Sequence, residues 1–273
     1  MSYELSGNLI TDKQAIQTLF EWNIQAEWEA YQTKNNIEID SDVLKLAQTI
    51  PAAVTNHWPH NEGSGSTLAD AIGSQDMAIT GATWISGDGR DGFHLDYDGS
   101  NDESLNDNDT YWDSDTFSIA FWVNADILTN SVRVVSASPD TDADSWSIRI
   151  HEASTGNFRY EAFLRDNSPT THKIEMATNV STGTWYFLAM ASNGGGELAF
   201  YWGERTDSDL TTAGTTSVST GFARNPGNLM LGNLSDFELR LNGKMDDVYY
   251  AKDTKMPKTD FETIFDNTKG NYS

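Results

Sequence analysis

Two regimes of hydrophobic spacing meet near Pro51. Before it, Ile16, Leu19, Phe20, Ile24, Trp28 and Tyr31 recur at helical intervals and form one apolar stripe. Thr11, followed three residues later by Gln14, matches the capping box that opens such a helix, so the spacing predicts a helix over 11–32. TKNNIE (33–38) reads as a turn. Asp40 or Ser41 can then cap a second short helix through VLKLAQTI, which Pro51 ends. The stripe needs a partner, and three are open: the region that follows, a further copy or a neighbouring chain, or none if the segment is a flexible anchor. Residues 1–51 are thus expected to form a short α-helical N-terminal segment for docking or oligomerisation.

From Val54 onward the pattern changes to short β-branched or aromatic runs separated by Gly, Asn, Asp and Ser clusters, as in an all-β sandwich. Strands are expected at 53–59, 77–85, 93–98, 103–106, 116–125, 131–138, 145–153, 158–166, 171–177, 184–193, 196–203, 229–233 and 244–251. In TFSIAFWVNA both alternating sets, Phe117, Ile119, Phe121 and Val123 against Ser118, Ala120 and Trp122, are largely apolar, which suits a strand in the middle of a sheet. SWSIRIHEA instead sets Trp146, Ile148 and Ile150 against Ser147, Arg149 and His151, and reads as half-solvated. Two packed sheets account for both patterns. No fixed-period repeat and no low-complexity linker divides residues 52–273, which are taken as one domain.

Composition narrows the function. Nine Trp, 10 Tyr and 12 Phe supply core material despite a mean hydropathy of −0.52, so the surface must be very polar. With 41 acidic against 17 basic residues, the net charge of −24 would repel phosphate backbones, and no nucleic-acid partner is expected. Asp outnumbers Glu by 27 to 14, which favours loop-borne carboxylates. The acidity fits a salt-adapted source, a set of calcium ligands or a merely solvated acidic face. Cysteine is absent, which removes disulfides and thiolate chemistry. No run approaches a membrane span, and the first residues, MSYELSGNLITDKQ, carry no readable export signal.

Several catalytic patterns are missing. No E-x-D-x-x-E run occurs, and Asp246 and Asp247, being adjacent in a strand, are expected to point to opposite faces and so cannot flank one glycosidic bond. No G-x-S-x-G elbow and no glycine-rich phosphate loop is found. The five histidines, His57, His60, His94, His151 and His172, show no metal-ligand spacing. The segment 96–109 has the acidic character of a calcium loop, but its glycine is misplaced and it reads as a hairpin.

Six segments in order resemble the laminin-G-like jelly rolls of the concanavalin-A-like superfamily. They are HWPHNEGSGSTLADAIGSQ (57–75), ATWISGDGRDGFHLDYDGSNDE (82–103), TFSIAFWVNA (116–125), TGTWYFLAMASN with GELAFYWGE (182–204), LMLGN (229–233) and GKMDDVYYAKDTKMPKTDFETIFDN (243–267). The resemblance implies a mainly β, two-sheet antiparallel jelly-roll sandwich, a short helix after the closing strand, and a rim able to hold Ca2+ and a ligand. Asp246 shares parity with Val248 and Tyr250, so it should point inward, where a bound cation would offset its burial. By resemblance the metal set is Asp70, Gly73 and Asp76 with Asp246 and Asp247; the alternative is that Asp70 caps a turn and Asp246 accepts backbone hydrogen bonds. Trp112, Trp146 and Trp202 would stack on a sugar if they lie at the rim, or belong to the core if they do not.

The expected function is non-catalytic surface recognition of a glycan or host cell-surface receptor. A lectin-like domain behind an amphipathic leader suits a virion tail or capsid component, assembled in the host cytoplasm as a homo-oligomer or docked on other virion proteins. A secreted or cell-surface carbohydrate-binding module is the alternative, and a glycan hydrolase or lyase the second.

Overall fold

The computed structural model describes residues 50–272 apart from 90, 91, 109, 138–144, 168, 169, 220, 222–226 and 234–238. These belong to one compact unit, Thr49–Ser273, and the two helices expected before Pro51 lie outside the described residues. In chain order the strands begin with β1 (Asn56–Trp58), β2 (Thr67–Leu68), β3 (Met77–Thr80), β4 (Thr83–Ser86), β5 (Phe93–Asp98) and β6 (Glu103–Asn106). Then come β7 (Thr116–Ala125), β8 (Arg133–Ala137), β9 (Trp146–Ser154), β10 (Asn157–Arg165) and β11 (Thr171–Glu175). The last are β12 (Tyr186–Asn193), β13 (Glu197–Glu204), β14 (Thr211–Ser217), β15 (Leu229–Leu231) and β16 (Asn242–Lys252), followed by one helix, α1 (Lys258–Thr268).

Two antiparallel sheets result. The first runs β14-β13-β12-β7-β16-β5-β4, with β1 also pairing β16; the second runs β11-β10-β9-β8-β15-β6-β3-β2. The doubly apolar strand, β7, lies between β12 and β16, as its pattern predicts. Between the sheets, Phe117, Ile119, Phe121 and Val123 of β7 meet Trp146, Ile148 and Ile150 of β9 and Tyr160, Ala162 and Leu164 of β10 in one continuous core.

The structure corrects three strand expectations. The single run 77–85 is two strands in different sheets, β3 in the second and β4 in the first. They break at Gly81, whose φ of +78° is left-handed and whose missing Cβ would sit 2.1 Å from Asp102 Oδ1. The acidic segment 96–109 is likewise no hairpin, because β5 pairs with β4 and β16 while β6 pairs with β3 and β15. Asp102 Oδ2 accepts the Asp98 amide at 2.7 Å where the chain crosses between layers. Finally, β14, like the two-residue β2, has no counterpart in the expected strands. Its sequence, TTAGTTS, carries almost no apolar signal because it lies at the sheet edge, and backbone pairing with β13 holds it.

Candidate functional site

The outer faces of the two sheets differ in chemistry. On the first sheet the second alternating set of β7 and β12, including Ala120, Trp122, Phe187 and Ala189, points away from the core and is covered by α1. Phe261, Ile264 and Phe265 form the buried stripe of that helix. Phe265 stacks on Trp122 at 5.7 Å, and Trp122 Nε1 donates to Thr268 Oγ1 at 2.8 Å. Tyr272, just beyond, packs on Trp122 at 4.3 Å and on Trp185 at 4.9 Å. This face is closed by apolar contact.

The outer face of the second sheet is polar. Strands β9, β10 and β11 each place two charged or ionisable side chains two residues apart on it: Arg149 and His151, Arg159 and Glu161, Lys173 and Glu175. Register sets Glu161 opposite both Arg149 and Glu175, and Arg159 opposite His151. Arg149 Nε donates to Glu161 Oε1 at 2.6 Å, and its guanidinium lies 4.5 Å from the Phe163 ring centroid. Arg159 Nη1 approaches Glu175 Oε2 at 3.6 Å, and His151 Nε2 lies 3.3 Å from Glu175 Oε1. Although Glu161 is fully buried, its Oε2 has no hydrogen bond; Lys173 Nζ stands 4.0 Å away. Arg159 Nε is also buried without an acceptor. The part-exposed groups of this face, His151, Arg159, Lys173 and Glu175, offer donors and acceptors of the kind a hydroxyl-rich ligand uses.

No single segment marks this face, because its residues come together only across strands. The usable signal was present in three successive strands, R-x-H, R-x-E and K-x-E, each charged pair interrupted by a core residue.

The residues expected to hold calcium are placed otherwise. Asp70 Oδ1 accepts the amides of His57, Ile72 and Gly73 at 3.0, 3.2 and 2.9 Å. Its Oδ2 accepts Asn56 Nδ2 at 2.6 Å and the Gln75 amide at 3.0 Å. Burial alone would raise this carboxyl, but the donors of Asn56, His57, Gly73 and Gln75 outweigh it and hold it below the ordinary carboxylate value. Asp76 Oδ1 accepts the Asp70 amide at 2.9 Å, so it too serves the loop. An oxygen already accepting two or three N–H groups has no lone pair left for a cation, and the turn-capping alternative describes Asp70.

Asp246 and Asp247 depart from parity. A bulge lies between Asp246 and Tyr249, with Asp247 at φ +55°, so that Met245 and Val248 both face the core although three positions apart. Asp246 is therefore turned toward the outer side of the first sheet rather than inward, and its Oδ2 accepts Tyr272 Oη at 2.9 Å. Asp247 does not point the opposite way as alternation would require. It reaches the same side, where Oδ2 accepts Tyr249 Oη at 2.9 Å and Oδ1 lies 2.7 Å from His57 Nε2. Burial, then Asp246 and Asp247, push the Tyr272 phenol well above its ordinary value, so it stays a donor. His57 thus links the Asp70 loop, through its amide, to the closing strand, through its ring. The connection assigned to calcium by resemblance is made here by a side chain, and Asp70, with both oxygens taken by N–H donors, has none left for an ion.

The three tryptophans are core residues, not rim contacts. Trp112 and Trp146 are each 1 % exposed and Trp202 8 % exposed. Trp146 stacks on Phe117 at 4.5 Å, Trp112 donates to Asn106 Oδ1 at 2.8 Å, and Trp202 belongs to the inter-sheet core beside Tyr186. Their large apolar area is worth more between the layers than at a wet edge.

A family model described as the concanavalin A-like lectin/glucanases superfamily matches residues 97–254, more than half of the chain. The chain belongs to this superfamily. No curated protein matches it. Among solved structures, the binding domain of Paraclostridial Mosquitocidal Protein 1 is similar at TM-score 0.59 and 13% identity, over 78% of this chain and 51% of that one. The receptor binding domain of botulinum neurotoxin mosaic serotype C/D gives 0.58 and 13%, over 80% and 51%. Domain 4 of AbnA, a GH43 extracellular arabinanase from Geobacillus stearothermophilus solved with arabinotriose, gives 0.53 and 17%, over 79% and 98%. The chain spans about half the length of both toxin fragments and nearly all of the arabinanase domain. A GH54 arabinofuranosidase also shares the fold. At these identities the likeness is one of fold, and the similar chains include binding domains and a glycosidase.

Proposed function

We propose that this superfamily member is a non-catalytic recognition module that binds a glycan, or a glycan-bearing surface receptor, on the outer face of its second sheet. The observation that carries the reading is the contrast between the faces: one is sealed by α1, the other presents the part-exposed His151, Arg159, Lys173 and Glu175 around the buried Arg149–Glu161 pair. Binding domains of the same fold, one of them solved with arabinotriose, support it. Titrating a panel of neutral oligosaccharides, arabino-oligosaccharides included, should give saturable binding that Arg159→Ala weakens at least tenfold. Saturable binding that this substitution leaves untouched would move the site elsewhere. Because Glu161 and Glu175 face each other here, the same panel should be assayed for reducing-sugar release; turnover abolished by Glu161→Gln would replace the reading with a hydrolase.

The finer reading is display on a virion, with residues 1–51 docking on a tail or capsid protein or on copies of this chain. The amphipathic pattern from Ile16 to Tyr31 motivates it. Light scattering of the full chain should then give an oligomer, and deletion of residues 1–51 a monomer that retains glycan binding. A full chain that runs as a monomer would favour the secreted or cell-surface module.

A further inference from the structure

On the outer face of the second sheet, His151, Glu161 and Glu175 each bring one ligand atom within 4.8 Å of the others. The three come from three strands. Glu161 and Glu175 are direct cross-strand partners, and like charges so placed repel unless a cation lies between them. The arginines meet that need only in part. Arg149 takes Glu161 Oε1, and Arg159 approaches Glu175 Oε2, each holding the oxygen on its own side. What remains is Glu161 Oε2, fully buried and without a hydrogen bond, and Glu175 Oε1, 3.3 Å from His151 Nε2.

The nearest cation to Glu161 Oε2 is Lys173 Nζ at 4.0 Å, and the Lys173 side chain is 45% exposed. Arg149 offsets the desolvation of the Glu161 carboxylate only on the Oε1 side, and Oε2 is left without a hydrogen-bond donor. In a tetrahedral site with metal–ligand bonds of about 2.0–2.2 Å, the ligand atoms lie roughly 3.3–3.6 Å apart. The His151 to Glu175 separation is of that size. An imidazole with two carboxylates is the donor set of a borderline divalent ion such as zinc, whereas calcium takes oxygen alone. The guanidiniums then play the part that outer hydrogen-bond donors play around such ions, fixing each carboxylate by its far oxygen. Their charge, with that of Lys173, keeps the cluster from being strongly anionic and limits the affinity.

We infer that His151, Glu161 and Glu175 bind one zinc-class divalent ion, three protein ligands leaving a position open toward solvent. This goes beyond the recognition reading and assigns to an ion the His151, Glu161 and Glu175 atoms of the same face. The test uses the full chain freed of metal by chelation and then of the chelator, titrated calorimetrically with zinc chloride. One saturable equivalent is expected, weakened at least tenfold by His151→Ala and separately by Glu175→Gln, with calcium failing to compete. Both substituted side chains are about one-quarter to one-third exposed, so near-ultraviolet dichroism should show the fold retained. Absence of saturable zinc binding, or binding equally tight in both variants, would overturn the inference. Because the metal itself is the readout, this result is separate from the oligosaccharide titration.

Discussion

The two sheets share the same inner chemistry and differ on the outside, and that difference separates what stabilises this chain from what it can recognise. Outside the first sheet, Trp122, Phe187, Phe261, Phe265 and Tyr272 form a second apolar layer, and even its buried carboxylates, Asp246 and Asp247, are engaged by Tyr272, Tyr249 and His57. Outside the second sheet, β9 to β11 leave His151, Arg159, Lys173 and Glu175 part-exposed in cross-strand register around the buried Arg149–Glu161 pair. A closed face returns hydrophobic free energy to folding; an open polar face gives that up and keeps hydrogen-bonding capacity for a partner.

The sharpest way to break the comparison is one substitution made on both sides. Phe265→Ala removes a ring buried between Trp122 and Phe187 and should cost about 3–5 kcal/mol. Phe163→Ala, on the half-buried outer face of β10, should cost only about 1 kcal/mol. Urea unfolding of both variants measures the difference, and equal losses would mean that both faces are structural.

The next effect is a pH dependence set by a buried histidine. Burial lowers the His60 pKa to about 4, outweighing the Trp58 carbonyl and the Asp247 carboxylate, which pull it upward. The ring is therefore neutral when folded, its Nδ1 2.9 Å from the Trp58 carbonyl. As pH falls from about 6.5 toward 4, the unfolded chain takes up this proton before the folded one, so stability present above pH 6.5 is lost across that window, by up to about 3 kcal/mol. His60 sits at φ +54°, a conformation Asn tolerates, so His60→Asn should flatten the slope between pH 6.5 and 4 while keeping the turn. An unchanged slope in that variant would assign the acid sensitivity to other groups.

How much of this was legible in the sequence depended on whether the signal was local. The apolar runs of β7 and β12 survive any reading because each carries its own periodicity, and the order of segments was enough for the superfamily. The bulge at Asp247 was not legible: alternation assumes one residue per step, and a single left-handed residue reversed where Asp246 points. Whether the tryptophans lie at the rim or in the core was not legible, because exposure depends on the opposing sheet, which no strand encodes by itself. The cluster of His151, Glu161 and Glu175 lies between these cases. Its parts alternate visibly with core residues, but their convergence is created by register between strands.

A smaller effect belongs to the loop once expected to hold calcium. Asp70→Ala removes the acceptor of five N–H groups on a partly exposed loop and should cost about 2 kcal/mol. If the loop is held by these hydrogen bonds, the loss measured by thermal unfolding will be the same in calcium and in chelator. A loss that appears only with calcium present would restore an ion to this rim.

The smallest stability effect should accompany a loss of recognition. Lys173 is exposed, and its Nζ stands 4.0 Å from Glu161 Oε2, too far for a hydrogen bond. Its removal leaves no buried donor unpaired, so Lys173→Ala should change stability by no more than about 0.5 kcal/mol. On a face used for recognition the same change withdraws an exposed donor, and oligosaccharide affinity should fall severalfold with the unfolding midpoint unmoved. On a face that is only solvated, neither quantity responds. The outer face of the first sheet offers no equivalent outcome, because every substitution in its apolar layer is read first as lost packing.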